Sequence, residues 1–303
     1  MTSEITFLQK LVRGYLKSGM RGSTRCTFAL ARRLKTLQAV PISIARQRLW
    51  IDLRDGLSHE LLAGSPWATV PWEIDEQAVM RRLVRRGDIV FDIGAHIGLH
   101  TVLLSELTGP TGVVHAFEPN AGKLMALAVT VSALRNATLH AFALGERPGR
   151  ATLFVPEDES MASLADWTDG RVGAVGCATC EVKRLDDLIA SRELPAPDFI
   201  KCDVEGSELG VLMGARTALD RVEAPIILYE ANKLSVRAFG LRISAATDFL
   251  LSLGRAGYAI RHVQAGARLQ PVAALDPSCD HFNLVAIPAS RLGHPMPHAQ
   301  GAG

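Results

Sequence analysis

An apolar run that ends in an acid, followed by two glycines four residues apart, lets the polar groups of a ligand meet bare backbone. Residues 88–98, Asp88-Ile89-Val90-Phe91-Asp92-Ile93-Gly94-Ala95-His96-Ile97-Gly98, have this form. They read as a buried strand, a tight turn and a helix N-terminus, with N–H groups that no side chain screens. Twenty residues after Gly98, a second apolar run, Val113-Val114-His115-Ala116-Phe117, ends in Glu118. An acid at that place grips a ribose diol. Asp203 closes Phe199-Ile200-Lys201-Cys202, and Glu230 closes Pro225-Ile226-Ile227-Leu228-Tyr229. In a parallel sheet these four acids share the edge where ligands bind.

The spacing selects among ligands. A dinucleotide site uses Gly-x-Gly-x-x-Gly so that the backbone can approach a pyrophosphate. Here His96 replaces the middle glycine, and Asp92 sits where it would repel a phosphate. A carboxylate suits a cofactor with cationic groups, and S-adenosylmethionine carries an ammonium and a sulfonium but no phosphate. In this reading Glu118 takes the ribose hydroxyls and Gly94 and Gly98 allow close approach. Asp92 steadies the amino-acid end, directly or through water. His96 covers the cofactor or bonds the turn, unprotonated because the helix dipole disfavours the cation there. Asn120 and Ala143 complete the candidate cofactor set.

Methyl transfer to an aliphatic hydroxyl gains ~10²–10⁴-fold from a base that takes its proton. Asp203 is the first candidate for that base or for acceptor binding, Glu205 the second, with Glu230 and His281 behind them. A divalent ion held by Asp203 and Glu230 is the lesser alternative, and no residue is assigned as a metal ligand. Cys177-Ala-Thr-Cys180 is half of a zinc motif that lacks its second half. Trp67, Trp72 and Trp167 could stack on a sugar ring, although anchoring a loop is the commoner role of such residues.

The elements that must carry these residues alternate. A helix from about residue 76 leads to the strand before Asp92, and Leu99 to Leu107 form the next helix, closed by Gly109-Pro110. Pro119 suits the first position of a helix carrying the Leu124, Leu127, Val131, Leu134 stripe. Thr138–Leu144 reads as a third strand and Arg150–Val155 as a short one. Residues 156–176 read as a long loop. Gly257–Val263 and His281–Ile287 form a terminal pair of strands. Alternating strands and helices predict a parallel sheet covered on both faces.

Charge divides the chain. Residues 1–48 hold ten Lys and Arg against one Glu, a net of +9, which leaves −7 on the rest of a chain whose total is +2. The leader contains no run long enough to span a bilayer and no uninterrupted apolar centre of a signal peptide. Phe7, Leu8, Leu11, Val12, Tyr15 and Leu16 fall at helical spacing among Lys10, Arg13 and Lys17. Such a helix either lies on an anionic membrane or a partner, or caps the domain with a solvated basic face; the second reading is preferred. Five cysteines, an odd number, fit reduced thiols in a cytoplasm, peripheral contact with the inner membrane surface being the further option.

With these motifs in hand, the sequence resembles the FkbM family of S-adenosylmethionine-dependent methyltransferases over about residues 73–288. The resemblance rests on Gly87–Gly98, on Phe117-Glu118-Pro119-Asn120, and most specifically on Ile200-Lys201-Cys202-Asp203-Val204-Glu205-Gly206 with Glu208-Leu209, Leu212 and Gly214-Ala215. Leu185-Asp186-Asp187-Leu188 and Asn283-Leu284-Val285-Ala286 also fit. His96 departs from it, since the family usually shows Asn there. The resemblance implies a Rossmann-like class I methyltransferase fold, seven-stranded with an antiparallel last strand; the N-terminal helical extension, residues 1–48, lies outside it and inherits nothing from it. The resemblance also implies methylation of hydroxyl oxygens on sugars, polyketides and other secondary metabolites. The expected organisation is an extension and lead-in over 1–75, a methyltransferase domain over 76–288 and a loose tail over 289–303. The rival readings are an NAD-dependent oxidoreductase and a non-catalytic cofactor-binding domain that meets a partner through its basic leader. Nucleic acid is not expected as a partner, because the body is acidic and lacks a loop for a flipped base.

Overall fold

A computed structural model of the chain describes residues 6–44, 47–64, 71–168 and 175–292. The N-terminal part holds helices α1 (Phe7–Lys17) and α2 (Ser23–Arg33), strands β1 (Val40–Ile44) and β2 (Gln47–Ile51), and helices α3 (Gly56–Ala63) and α4 (Pro71–Leu83). Strand β3 (Ile89–Ile93) follows, then α5 (Leu99–Thr108), β4 (Val113–Phe117), α6 (Ala121–Ser132) and β5 (Ala137–His140). An excursion through β6 (Ala143–Leu144), β7 (Gly149–Val155) and β8 (Gly176–Lys183) leads to α7 (Leu185–Ala190) and β9 (Phe199–Cys202). The chain closes with α8 (Glu208–Gly214), α9 (Arg216–Leu219), β10 (Ile226–Asn232), α10 (Lys233–Ala238), α11 (Ala245–Leu251), β11 (Ala259–Gln264), β12 (Arg268–Pro271) and β13 (His281–Ile287).

The main sheet runs β12-β11-β13-β10-β9-β3-β4-β5. Strands β5, β4, β3, β9 and β10 are parallel, and β13 lies antiparallel between β10 and β11. From β3 the chain builds outward to β4 and β5, then crosses back to place β9 on β3's other side. The crevice between the carboxyl ends of β3 and β9 is therefore the switch point of the sheet, where ligands bind in such folds. Side chains alternate across each strand. Val90, Leu228 and Val285 join the core under α4 and α5, whereas Phe91, Ile93, Tyr229 and Leu284 join the core under α8 and α11.

Several expectations need correction. The sheet has eight strands instead of seven, because the exposed edge hairpin adds β12, which ends at Pro271. The strand expected over 138–144 is two strands. The chain leaves the main sheet after His140, and Ala143–Leu144 pairs with Val182–Lys183 of β8 in a second, three-stranded sheet. Phe142, between them, packs edge-on against Phe117 at 5.8 Å. The first position of helix α6 is Ala121, not Pro119, and Asn120 is its N-cap. Helix α4 starts at Pro71 instead of about residue 76, and β10 continues two residues past Glu230.

The N-terminal segment is part of the body. Leu37, Leu49, Ile51, Leu53 and Leu62 are fully or almost fully buried in the same core as α4 and α5. The backbone N–H of Trp50 donates to Thr130 Oγ1 on α6 at 3.1 Å. Helix α1 caps this layer through Val12, Leu8 and Leu16. Of the expected tail, residues 289–291 form a turn tied back by Arg291 to Asp198 at 3.2 Å, and 293–303 lie outside the described residues. Trp67 and the side chain of Trp72 also lie outside them.

Candidate active site

A cavity of about 490 Å³ opens at the switch point, within the size range of small-molecule sites. Its floor is the β3–α5 turn, through Gly94, Ala95 and His96, facing the β9–α8 turn, through Asp203, Val204 and Glu205. Glu118 and Ala143 close one end. Glu230, His281 and Asn283 close the other, where β10 pairs with the antiparallel β13. Gly56, Leu57 and Glu60 of α3 form a wall, so the N-terminal segment contributes to the site.

The two turns carry strain where they face the cavity. His96 and Glu205 both have left-handed backbone, with φ of 53° and 52°. Such conformations in non-glycine residues collect at functional sites. They are best tolerated by Asn, Asp and His, which suits His96. The glycines also permit close packing within the protein, and Gly94 lines the cavity. A Cβ on Gly94 (φ 81°) would lie 1.8 Å from the carbonyl oxygen of Asp203, and one on Gly98 would press on Leu127 and Thr130 at 3.0 Å. They bring protein neighbours together, and Gly98 does not line the cavity.

Glu118 is buried at the cavity and ties the two βα turns together. Its Oε2 accepts from the His96 N–H at 2.9 Å and its Oε1 from the Asn120 N–H at 2.7 Å. Each oxygen retains a lone pair for a donor in the cavity. Desolvation raises its pKa, and the two backbone donors oppose that rise. Asp92 lies away from the lining: it is fully buried, accepts from Thr101 Oγ1 at 2.6 Å through Oδ2, and leaves Oδ1 without a protein partner. Asp92 therefore stands behind the turn, outside the cavity lining. Asn120 is likewise outside the lining, where its side chain caps α6 by accepting from the Gly122 N–H at 2.9 Å.

Eight carboxylates and one lysine line the cavity. Burial and the nearby Glu230 and Asp203 hold Glu205 well above its usual range. Glu230 is raised by burial and by Asp203, and it accepts from His281 Nε2 at 2.7 Å. That contact raises the pKa of His281, which is about half exposed at the cavity mouth. The buried Lys201 pairs with Asp203 at 3.2 Å. Glu208, which the sequence reading did not place in the site, lies buried beneath the turn. It accepts from Val204 and Gly206 N–H groups at 3.0 and 3.2 Å, and its pKa is pushed up to about 8 by burial and then by Glu230. Carboxylate oxygens of Asp203, Glu208 and Glu230 come within 4.8 Å of one another. A cationic ligand would favour the charged form of every acid in this group.

Behind His96 sits a charge cluster that the sequence reading missed. Lys123 of α6 is fully buried, 3.5 Å from Asp52, 3.4 Å from Asp55 and 3.5 Å from Glu159. Arg54 bridges Asp52 at 2.6 Å and Glu159 at 3.0 Å, and donates to the Gly122 carbonyl. His96 Nε2 lies 3.5 Å from Asp55. Burial, then Lys123, pushes the His96 pKa down to about 3, so the ring is neutral as expected, but for these reasons more than for the helix dipole. Cys177 and Cys180 sit three apart on β8, one exposed and one buried, away from the cavity.

Comparison with known proteins completes the description. The model of the methyltransferase FkbM domain matches residues 92–260. Hexuronic acid methyltransferase AglP of Haloferax volcanii is 30% identical over 213 residues, which cover 62% of this chain and 82% of that one. The 31-O-demethyl-FK506 methyltransferase FkbM of Streptomyces tacrolimicus is 32% identical over 162 residues, covering 45% of this chain and 62% of that relative. Among solved structures, a SAM-dependent O-methyltransferase from Thermotoga maritima superposes with a TM-score of 0.40 at 13% identity, covering 84% of this chain and 79% of that one.

Proposed function

The chain belongs to the FkbM methyltransferase family and is an S-adenosylmethionine-dependent methyltransferase; we propose that it methylates a hydroxyl group of a sugar, glycolipid or secondary metabolite in the cavity at the β3–β9 switch point. The observation that carries this reading is the division of the cavity: Glu118 beside the β3 turn at one end, and Asp203, Glu230 and His281 at the other. The names of the two relatives, a hexuronic acid enzyme and a 31-O-demethyl-FK506 enzyme, support a small-molecule or saccharide acceptor.

The residues present fit the cofactor. Glu118 offers a buried acceptor pair for a ribose diol, Phe142, Leu144 and Leu164 offer apolar wall for a base, and the surplus of acids suits two positive charges. S-adenosylmethionine supplies a methyl group already activated on a sulfonium. What remains for the chain is to bind, align, exclude water and move one proton. Asp203, held by Lys201, accepts a hydrogen bond from the acceptor. With Asp203 engaged by Lys201 and His281 paired with Glu230, the base assignment moves from Asp203 to His281. With its Nε2–H donated to Glu230, neutral His281 keeps the lone pair on Nδ1 for the acceptor's proton. Glu230 orients the ring and stabilises the imidazolium that forms. Glu205 frames the acceptor end from its strained turn.

Glu118→Gln is expected to weaken S-adenosylmethionine binding about 10- to 100-fold by calorimetry. The amide presents one acceptor where two backbone donors need two, and a hydrogen bond to a charged group contributes about 1.5–3 kcal/mol. Unchanged affinity would remove Glu118 from the cofactor site. The proposed reaction is tested by incubating the protein with methyl-labelled cofactor and panels of sugars, glycolipids and secondary metabolites. The expected product is a labelled methyl ether. Cofactor binding without transfer to any panel member would favour the non-catalytic reading, and preferential binding of NAD the oxidoreductase.

A further inference from the structure

Helix α1 has more apolar surface than its packing uses. Thr6 and Gln9 form a capping box, with Gln9 N–H donating to Thr6 Oγ1 at 3.3 Å and Thr6 N–H to Gln9 Oε1 at 2.8 Å. One face turns inward: Val12 is buried, Leu8 and Leu16 pack on the core, and Gln9 Nε2 donates to the Thr36 carbonyl at 2.6 Å. At 3.6 residues per turn, Phe7 and Leu11 fall on one ridge beside that face. They are 77% and 55% exposed. Lys10, Arg13 and Lys17 form the next ridge round, all exposed. Met20, in the turn to α2, is 54% exposed. The helix thus presents three stripes, one docked, one apolar and bare, one cationic.

The charge pattern says what the bare stripe meets. No Asp or Glu occurs between Ile5 and Ile51. Of the seven Lys and Arg from position 10 to 33, Arg32 alone forms an ion pair among the described residues, with Glu157 at 3.1 Å. Bulky apolar side chains beside a row of cations that have no acidic partner among the described residues match an anionic lipid surface. There the apolar ridge enters the headgroup–acyl boundary while the cations meet the lipid phosphates. The rest of the chain carries a net charge of −7, so the attraction is confined to this end and orients the molecule. We propose that the Phe7–Leu11 ridge of α1, flanked by Lys10, Arg13 and Lys17, docks the protein on anionic membrane surfaces. This does not depend on the identity of the methyl acceptor.

The test is co-sedimentation of the full-length protein with vesicles of equal parts phosphatidylcholine and phosphatidylglycerol, and with phosphatidylcholine alone. Binding to the anionic vesicles only is expected. It should fall about tenfold or more between about 0.1 M and 1 M salt, as the Debye length shrinks from about 10 to 3 Å. Phe7→Ser/Leu11→Ser should weaken it by about tenfold or more, with thermal unfolding and S-adenosylmethionine affinity unchanged. Equal partition of variant and parent would overturn the proposal, as would no binding to the anionic vesicles. A concentration-dependent dimer that Phe7→Ser/Leu11→Ser dissolves would do the same, by assigning the ridge to a second copy.

Discussion

Replacing His281 with alanine is expected to lower kcat by about 10²–10⁴-fold while leaving S-adenosylmethionine affinity nearly unchanged. His281 stands half exposed at the acceptor end of the cavity and its Nε2 lies 2.7 Å from Glu230. That pairing is the arrangement of a general base held by an orienting carboxylate. The rate should rise with pH, because only neutral imidazole can accept a proton. The Glu230 contact lifts the His281 pKa above its ordinary value of about 6.5, so the rising limb lies above that value in the parent enzyme. Glu230→Gln weakens the lift, and the limb should move to lower pH in the variant. A merely structural Glu230 would lower the rate without moving the limb. If His281→Ala kept full turnover, the base would have to be sought among Asp203 and Glu205.

The largest expected loss of stability comes from Lys123→Met, about 3–5 kcal/mol in chemical denaturation. The substitution keeps the volume and removes the charge. Asp52 and Asp55 are both fully buried, and Arg54 reaches only Asp52 of the two. Asp55 then retains hydrogen bonds from the Ser58 N–H and hydroxyl, at 2.7 and 3.0 Å, but no cation in contact. A buried carboxylate in that state either stays charged at a large cost or takes up a proton. The cluster also links α3, α6 and the loop at Glu159 around His96, so cofactor affinity should fall together with stability. A Lys123→Met protein as stable as the parent would show that the ion pairs merely balance their desolvation.

The acids at the site were legible because a parallel sheet gathers the residues that follow its strands. An acid ending an apolar run is visible in one dimension, and Glu118, Asp203 and Glu230 do meet at one cavity. Asp92 obeys the same pattern but lies one residue before the strand end, where the alternation of side chains turns it away toward Thr101. What one dimension hides is whatever depends on distant partners. Gly94 lines the cavity, but a Cβ there would also meet the Asp203 carbonyl, contributed by a loop more than a hundred residues away. Lys123 drew no reading at all, since its partners Asp52 and Asp55 come from a segment read as a lead-in. The break between β5 and β6 was hidden because Ala141 and Phe142 continue an apolar run; pairing with β8, not composition, separates the strands. His281 was noted only as an outside candidate, because its role appears when β13 is laid antiparallel against Glu230.

The most direct test of the central claim is a crystal structure of the protein with S-adenosylmethionine bound. The account predicts the cofactor between the β3 and β9 turns, with its ribose hydroxyls in hydrogen-bond contact with the Glu118 carboxylate and its methyl group facing Asp203 and His281. A cofactor seated elsewhere, or one in this cavity whose ribose does not touch Glu118, would contradict it.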